Sequence, residues 1–466
     1  MNYRTLQQKF KRDFWPSLDR LEYILVLIML VLIPVMLQNL YSSPFRSEWL
    51  KKLQPVDLLF ILVLVVWLAR TTRNPARLLS VPLKLPLMLY VATTAVSLIS
   101  AKDLALGILE VSIKIYLAMA YVVIASVITT ERRFFQALRV WLIAAVVIVV
   151  IGLVGYAVAL YTSQENFLVY AGRNMPFFGR CFRLKSTLQP TSKLLSTYLL
   201  IGVPMAFIYL RFFTRKRLEQ IIIGMGLIFM LIADFLTISR GIVPLFLCAG
   251  IILFRHWNPW LVRRVLAITL VMISLVGMLG IFFVSTIRIL SIEAKHSTDS
   301  SKQAFDRHYY SSDPTKGLET VSLSINYAYD NYFWLKRAAL YMFAENPLIG
   351  VGAGNFGVSL RQLKDKGCLP EKLPEFVTAQ SEPFDRLAET GLLGFLSCLY
   401  LFGSVLIILL RKLSSISQVE STIAWSSLAA LIGLAFVCID LDISNFRFVW
   451  AFLGIIFGFF VSGASE

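Results

Sequence analysis

The sequence predicts an all-α polytopic membrane protein of about twelve transmembrane helices, and three observations predict it. Apolar residues make up 57% of the 466-residue chain and charged residues only 16%, with a mean hydropathy of +0.71. A soluble domain carries roughly a quarter charged residues, and an even spread of this much apolar surface exceeds what monomers expose. The apolar residues also cluster into blocks near the ~20 residues that a helix needs to cross a ~30 Å hydrocarbon core. The net charge of +17, from 45 Lys and Arg against 28 Asp and Glu, lies mostly in short loops between those blocks. Charge placed there sets topology, so nucleic acid is not the expected partner. Disordered, collagen-like and disulfide-scaffold classes are excluded by the same composition.

The blocks lie near 21–40, 55–70, 85–101, 104–128, 139–161, 192–212, 218–238, 241–254, 265–287, 390–410, 421–440 and 446–462. Each is expected to be a helix, because only an intra-segment hydrogen-bond ladder satisfies backbone groups in lipid. Basic clusters fall on alternate loops. Arg4, Lys9, Lys11, Arg12 and Arg20 precede the first block; Arg70, Arg73 and Arg77 follow the second; Arg132, Arg133 and Arg139 begin the fifth. Arg211, Arg215, Lys216 and Arg217 come next, then Arg255, Arg263 and Arg264, then Arg411 and Lys412. Positive charge marks the cytoplasmic side, which places both termini there. The first block is too long for a cleaved signal peptide and lacks a small-residue cleavage site. The chain therefore divides into spans one to nine at 1–287, an outer loop at 288–389, and spans ten to twelve at 390–466.

Two outer connections depart from the pattern. Residues 162–191 carry Arg173, Arg180, Arg183 and Lys185 on the side where positive charge is sparse. The 288–389 loop far exceeds ordinary connections, and long loops of this kind usually carry function. Within it, 328–344 places aromatic and aliphatic residues at helical spacing, which predicts an amphipathic helix at the membrane surface or against the bundle. The Ser-, Asp-, Lys- and Thr-rich stretch 293–325 is expected to be mobile.

Candidate chemistry is sparse. The three histidines are His256, His296 and His308, and no His/Cys/Asp grouping has metal-ligand spacing, so no metal and no cofactor is expected. No Walker A motif or Gly-x-Ser-x-Gly elbow is present, and the glycine run Gly350–Gly354 follows a helical pattern rather than a strand. What stands out is arginine at the outer boundary: Arg183 with Lys185 before span six, and Arg240 in the turn between spans seven and eight. Each taken singly suits an anchor snorkelling to lipid phosphate. Together they suit a diphosphate, since guanidinium forks bind phosphate oxygens in pairs. Asp234, within two turns of Arg240, either lines that site or makes a contact between helices. Glu110 and Lys114 stand one turn apart and are expected to pair. Arg337 and Lys336 suit either acceptor phosphate or plain surface, and Asp440, Asp442 and Arg447 flank the last outer turn.

Four segments, in order, resemble the O-antigen ligase/polymerase-like superfamily of bacterial membrane glycosyltransferases. They are Arg183…Pro190, Thr237-Ile238-Ser239-Arg240-Gly241, Asn346-Pro347-Leu348-Ile349-Gly350-Val351-Gly352-Ala353-Gly354-Asn355-Phe356, and Leu387-Ala388-Glu389-Thr390-Gly391-Leu392-Leu393-Gly394. The resemblance implies a GT-C-like enzyme of the inner membrane with its site facing the periplasm. Such an enzyme takes a glycan from an undecaprenyl-diphosphate donor and passes it to a lipid- or glycan-linked acceptor hydroxyl. By position, Arg183 and Arg240 would hold the donor diphosphate and stabilise the leaving group without metal. The family commonly has a His where this chain has Gln380, which orients a hydroxyl but does not take its proton. Glu382 or Glu389 then serves as base, or the leaving diphosphate takes the proton, or the chain is an inactive scaffold in polysaccharide export. Glu389 also suits a plain helix-dipole role. A transporter of a small anion is the competing class, but the paired broken helices of transporters are not evident. Cys181 and Cys368 both fall in outer loops, where a disulfide is permitted.

Overall fold

The computed structural model describes residues 3–36, 54–73, 81–256 (apart from 163, 176–178, 189–190, 214–216 and 240) and 317–462 (apart from 371–372, 375 and 377). The first half runs α1 Tyr3–Leu32, α2 Pro55–Thr71, α3 Lys84–Val96 with a 3-10 turn Ser97–Ser100, α4 Leu104–Val127 and α5 Glu131–Thr162. A hairpin of β1 Val169–Met175 and β2 Gly179–Leu184 follows, then α6 Ser192–Phe212, α7 Arg217–Leu236 and α8 Ile242–His256. The second half holds α9 Gly317–Glu345, α10 Phe356–Asp365, α11 Glu382–Leu413, α12 Gln418–Cys438 and α13 Arg447–Ser462.

Six helices among the described residues (α4, α5, α6, α7, α11 and α12) are long and apolar enough to cross a bilayer. The segment α3 with its 3-10 turn, α8 and α13 are shorter apolar helices. The protein is thus a helical membrane protein. The blocks expected at 21–40 and 55–70 meet α1 and α2, and the block expected at 265–287 lies outside the described residues.

Two details add to these expectations. Beside the helices, residues 169–184 form one antiparallel pair of strands with Tyr170 opposite Arg183 and Val169 opposite Leu184. Arg, Gly and Asn break the alternation that marks a strand in sequence; buried Val169, Phe182 and Leu184 fix the hairpin against the helices instead. Of the stretch 293–325, residues 317–325 are the start of α9. The rest of that stretch lies outside the described residues. The 328–344 expectation meets α9, whose Leu335, Ala338, Ala339 and Met342 are fully buried, spaced by three and four as one helix face. That face packs with Phe356, Leu360 and Ala388 into a second small core.

The main core surrounds α6. Its apolar window is 78% buried against 22% for α7, which makes α6 the central helix and leaves α7 at the lipid boundary. Tyr198 of α6 stacks on Trp141 of α5 with centroids 5.1 Å apart. Helix α13 lies close on α4 because Gly454 and Gly458 have no side chains to hold the backbones apart. Ion pairs lace the helix ends. Arg70 reaches Asp19 at 2.7 Å and also Glu22, while Arg133 reaches Asp19, joining α1, α2 and α5. Arg447 forks onto Asp57 at 2.8 and 2.7 Å, joining α13 to α2.

Candidate functional site

The glycine-rich run and the Leu387–Gly394 segment turn out to be one structural unit. Helix α11 breaks at Gly391, whose φ of 62° and ψ of −161° are not helical. The break frees backbone groups on both sides, and residues 347–352 satisfy them. Leu392 N donates to Pro347 O at 2.8 Å and Leu393 N to Leu348 O at 3.1 Å. Val351 N donates to Ala388 O at 2.9 Å and Gly352 N to Glu389 O at 3.0 Å. Such a strand-like patch inside a helix requires backbone against backbone. A Cβ on Gly391 would sit 2.5 Å from the Leu348 carbonyl carbon, and one on Gly350 would collide with the backbone of Glu389. Broken helices at membrane depth are tolerated where their polar backbone is buried in protein.

Just before this unit, Gln380 is half-buried and left-handed, with φ +56°. Its amide Nε2 donates to Thr378 Oγ1 at 3.3 Å. The carboxylates behind it are committed. Glu382 accepts from Arg386 Nε at 2.8 Å and from Ser444 N at 2.9 Å. Glu389 accepts from Phe356 N at 3.3 Å, which caps the start of α10. Arg386 continues to Ser444 Oγ at 2.5 Å, and Ser444 Oγ donates to Asp442 Oδ1 at 3.1 Å. Lys114 pairs with Glu110 at 3.0 Å, as its spacing led us to expect, and also donates to Ser444 Oγ at 3.1 Å and to Asn445. Burial and the neighbouring Glu382 push the Asp442 carboxyl well above the usual range.

The second focus is the hairpin. Arg183 on β2 sends Nε to Thr237 O and Nη2 to Ile238 O, both at 3.0 Å, and so grips the end of α7. That turn leads directly to Arg240, which itself lies outside the described residues. Lys185, two residues on from Arg183, leaves the strand in the same direction. Both cations stand over one ring: Arg183 Cζ lies 5.5 Å and Lys185 Nζ 5.9 Å from the Tyr170 centroid. The Tyr170 hydroxyl lies 3.0 Å from Ser192 Oγ at the start of α6. Neither cation has a carboxylate ion pair among the described residues. Burial holds the Lys185 ammonium below its ordinary range, and the charge of Glu165 opposes that shift.

A third group joins the two foci. Lys193, one residue past Ser192, meets Asp440 Oδ2 at 3.0 Å and receives Tyr332 as a hydrogen-bond acceptor at 3.0 Å. Two residues before Asp440, Cys438 O accepts from Ser381 Oγ at 3.4 Å, next to Gln380. Sequence reasoning missed Tyr170, Lys193, Tyr332, Asp385 and Arg386. Only the Arg386-Glu382 spacing of four carried a signal for any of them.

Backbone strain marks the same places. Among the described residues, Leu83, Ser186, Ile238 and Gln380 are the non-glycine residues with positive φ. Ser186 lies in the Arg183 segment, Ile238 in the Arg240 turn, and Gln380 before the broken helix. A β-branched residue such as Ile238 at φ +47° is an outlier that persists only when its surroundings over-determine it.

Other candidates lie apart. Arg337 is exposed on α9, donates to Tyr341 Oη at 3.1 and 2.9 Å, and stands 5.1 Å over Trp334. Cys368 carries a free, exposed thiol, and the side chain of Cys181, with which the sequence permits a disulfide, lies outside the described residues. Asp234 is wholly buried in α7, and neither carboxylate oxygen has a hydrogen-bond partner among the described residues. Burying a group that can ionise costs stability, so Asp234→Asn, which cannot ionise, is expected to raise stability by about 1 kcal/mol or more in thermal unfolding in detergent. A lower midpoint would show that the carboxylate is paired in the working protein.

No curated protein matches the chain. The family model described as O-Antigen ligase matches residues 225–399, a stretch that begins inside α7 and ends inside α11. It takes in the Arg240 turn and the whole broken-helix unit, while Arg183 and Lys185 precede it. Over that stretch, which is less than half of the chain, the protein is similar to the O-antigen ligase family.

Proposed function

We propose that the protein is an inner-membrane glycosyltransferase, an O-antigen-type ligase or polymerase. It moves a glycan from an undecaprenyl-diphosphate donor to an acceptor hydroxyl on the periplasmic face. The observation that carries this reading is the pair Arg183 and Lys185, which share the Tyr170 ring and have no carboxylate ion pair among the described residues. Two like charges held this close need an anion, and a diphosphate supplies oxygens for both. The acceptor oxygen attacks the anomeric carbon as the bond to the diphosphate oxygen breaks, and the electron pair leaves with the diphosphate. Arg183, Lys185 and Arg240 stabilise that growing charge in place of a metal ion. Gln380 orients the attacking hydroxyl. Glu382 and Glu389 are already engaged by Arg386, Ser444 N and Phe356 N, so the departing diphosphate is the proton acceptor.

Membrane vesicles containing the protein, a lipid-diphosphate-linked glycan and an acceptor test this directly. Transfer that persists in excess EDTA is the expected result, and absence of any transfer would overturn the reading. Single repeats accumulating on lipid after gene deletion would mark a polymerase; unattached long polymer would mark a ligase. Lys185 adds a pH dependence. Its lowered range means that it loses its charge at a lower pH than a free lysine, so donor binding weakens as pH rises through that range. Lys185→Arg keeps the charge and is expected to move the alkaline limb of the pH–rate profile upward. An unmoved limb would remove Lys185 from the anion site.

A further inference from the structure

The loop that presents Gln380 is held in a conformation that its own residues do not favour. A non-glycine residue at φ +56° costs about 1 kcal/mol or more, and something nearby must hold it there. The groups on either side show what does. Ala379 N donates to Asp385 Oδ1 at 2.5 Å, and Asp385 N donates to Ser381 O at 2.9 Å. Asp385 therefore grips the residue before Gln380 with its side chain and the residue after it with its backbone. Phe384 and Arg386 flank Asp385 in the first turns of α11, and Arg386 is locked by Glu382 and Ser444, so the gripping residue stands on a rigid base. Asp385 itself is buried, and its second oxygen, Oδ2, has no hydrogen-bond partner among the described residues. A carboxylate retained in such a place, with one oxygen spent on one backbone N–H, is there for that N–H.

We propose that Asp385 is a positioning residue that fixes the Ala379–Ser381 loop so that the Gln380 amide meets the acceptor hydroxyl. This rests on the acceptor-orienting role given to Gln380 above. What Asp385 supplies is an acceptor oxygen for Ala379 N at a set position, which an Asn side chain also supplies. A proton-accepting role would instead require the carboxylate itself. The two roles separate under substitution.

Asp385→Ala and Asp385→Asn, purified in detergent alongside the parent protein, are compared in two measurements. In glycan transfer, Asp385→Ala is expected to lower kcat/KM for the acceptor about 100-fold, the scale of a small misplacement, with KM for the donor unchanged. Asp385→Asn is expected to restore the rate to within about fivefold of the parent, because it keeps the bond to Ala379 N. In amide hydrogen exchange, peptides spanning Gln380 are expected to exchange faster in Asp385→Ala and at the parent rate in Asp385→Asn. Asp385→Asn as inactive as Asp385→Ala would overturn the proposal in favour of carboxylate chemistry. Unchanged exchange in Asp385→Ala would overturn it whether or not transfer is observed. A parent protein with no transfer at all would instead count against the glycosyltransferase reading, while the exchange result would still judge the positioning role.

Discussion

Arg183→Ala is expected to lower glycan transfer by about 100-fold or more while the protein still inserts and purifies as a single species. The size follows from what the side chain does. Removing one preorganised donor from a site where charge develops costs about 2.7–4 kcal/mol of transition-state stabilisation. Structurally the loss is smaller, because the bonds to Thr237 O and Ile238 O each contribute only about 1 kcal/mol net. Arg183→Lys separates charge from shape. A lysine keeps the positive charge but has no fork to hold the end of α7 and a phosphate together, so transfer is expected to fall between the parent and Ala. Initial rates in vesicles, normalised to protein by immunoblot, provide the check. A parent-like rate in Arg183→Ala would leave the side chain a mere structural clamp on α7.

Gly391→Ala is expected to have the largest effect on the fold. The residue sits at φ 62° and ψ −161°, a region essentially reserved for glycine, and an added Cβ would lie 2.5 Å from the Leu348 backbone. Neither chain can retreat, because four backbone hydrogen bonds tie 347–352 to 388–393. The substitution should therefore separate the two segments and leave those groups unsatisfied, at roughly 1–3 kcal/mol for each one that stays buried. A marked drop in unfolding temperature or loss of the folded species on size exclusion is the predicted outcome. Gly403→Ala in the same helix, where nothing lies within 4 Å of an added Cβ, is the matched control and should behave like the parent. Equal stability of the two variants would show that the broken helix is not required.

How far the sequence was legible depended on the kind of force involved. Helices driven by hydrophobic length, such as α4, α5, α6 and α12, announce themselves, because lipid permits little else. The hairpin did not, since its strands gain their stability from Val169, Phe182 and Leu184 packing on helices rather than from any pattern of their own. The motif residues were recognisable one segment at a time, yet the reason for them was not. Gly350 and Gly391 lie far apart in the chain, and only the fold shows that their missing side chains serve one backbone contact. The partners of the carboxylates were hidden for a related cause. Glu382 and Glu389 stand in the right segment for chemistry, but Ser444 N and Phe356 N, which engage them, come from remote elements. Tyr170 and Asp385 carried no signal, because one works through two cations brought over its ring and the other through a neighbour's backbone amide.

Binding of undecaprenyl diphosphate to the purified protein, compared between the parent and an Arg183→Ala/Lys185→Ala double variant, tests the account at its centre. The parent should bind with an affinity that falls as salt rises, and should ignore undecaprenol, which has the same chain without phosphate. The double variant should lose most of that binding while remaining folded, with its unfolding temperature lowered only by the loss of the two Arg183 bonds to the end of α7. Equal binding by both proteins would contradict the assignment of these cations to a diphosphate.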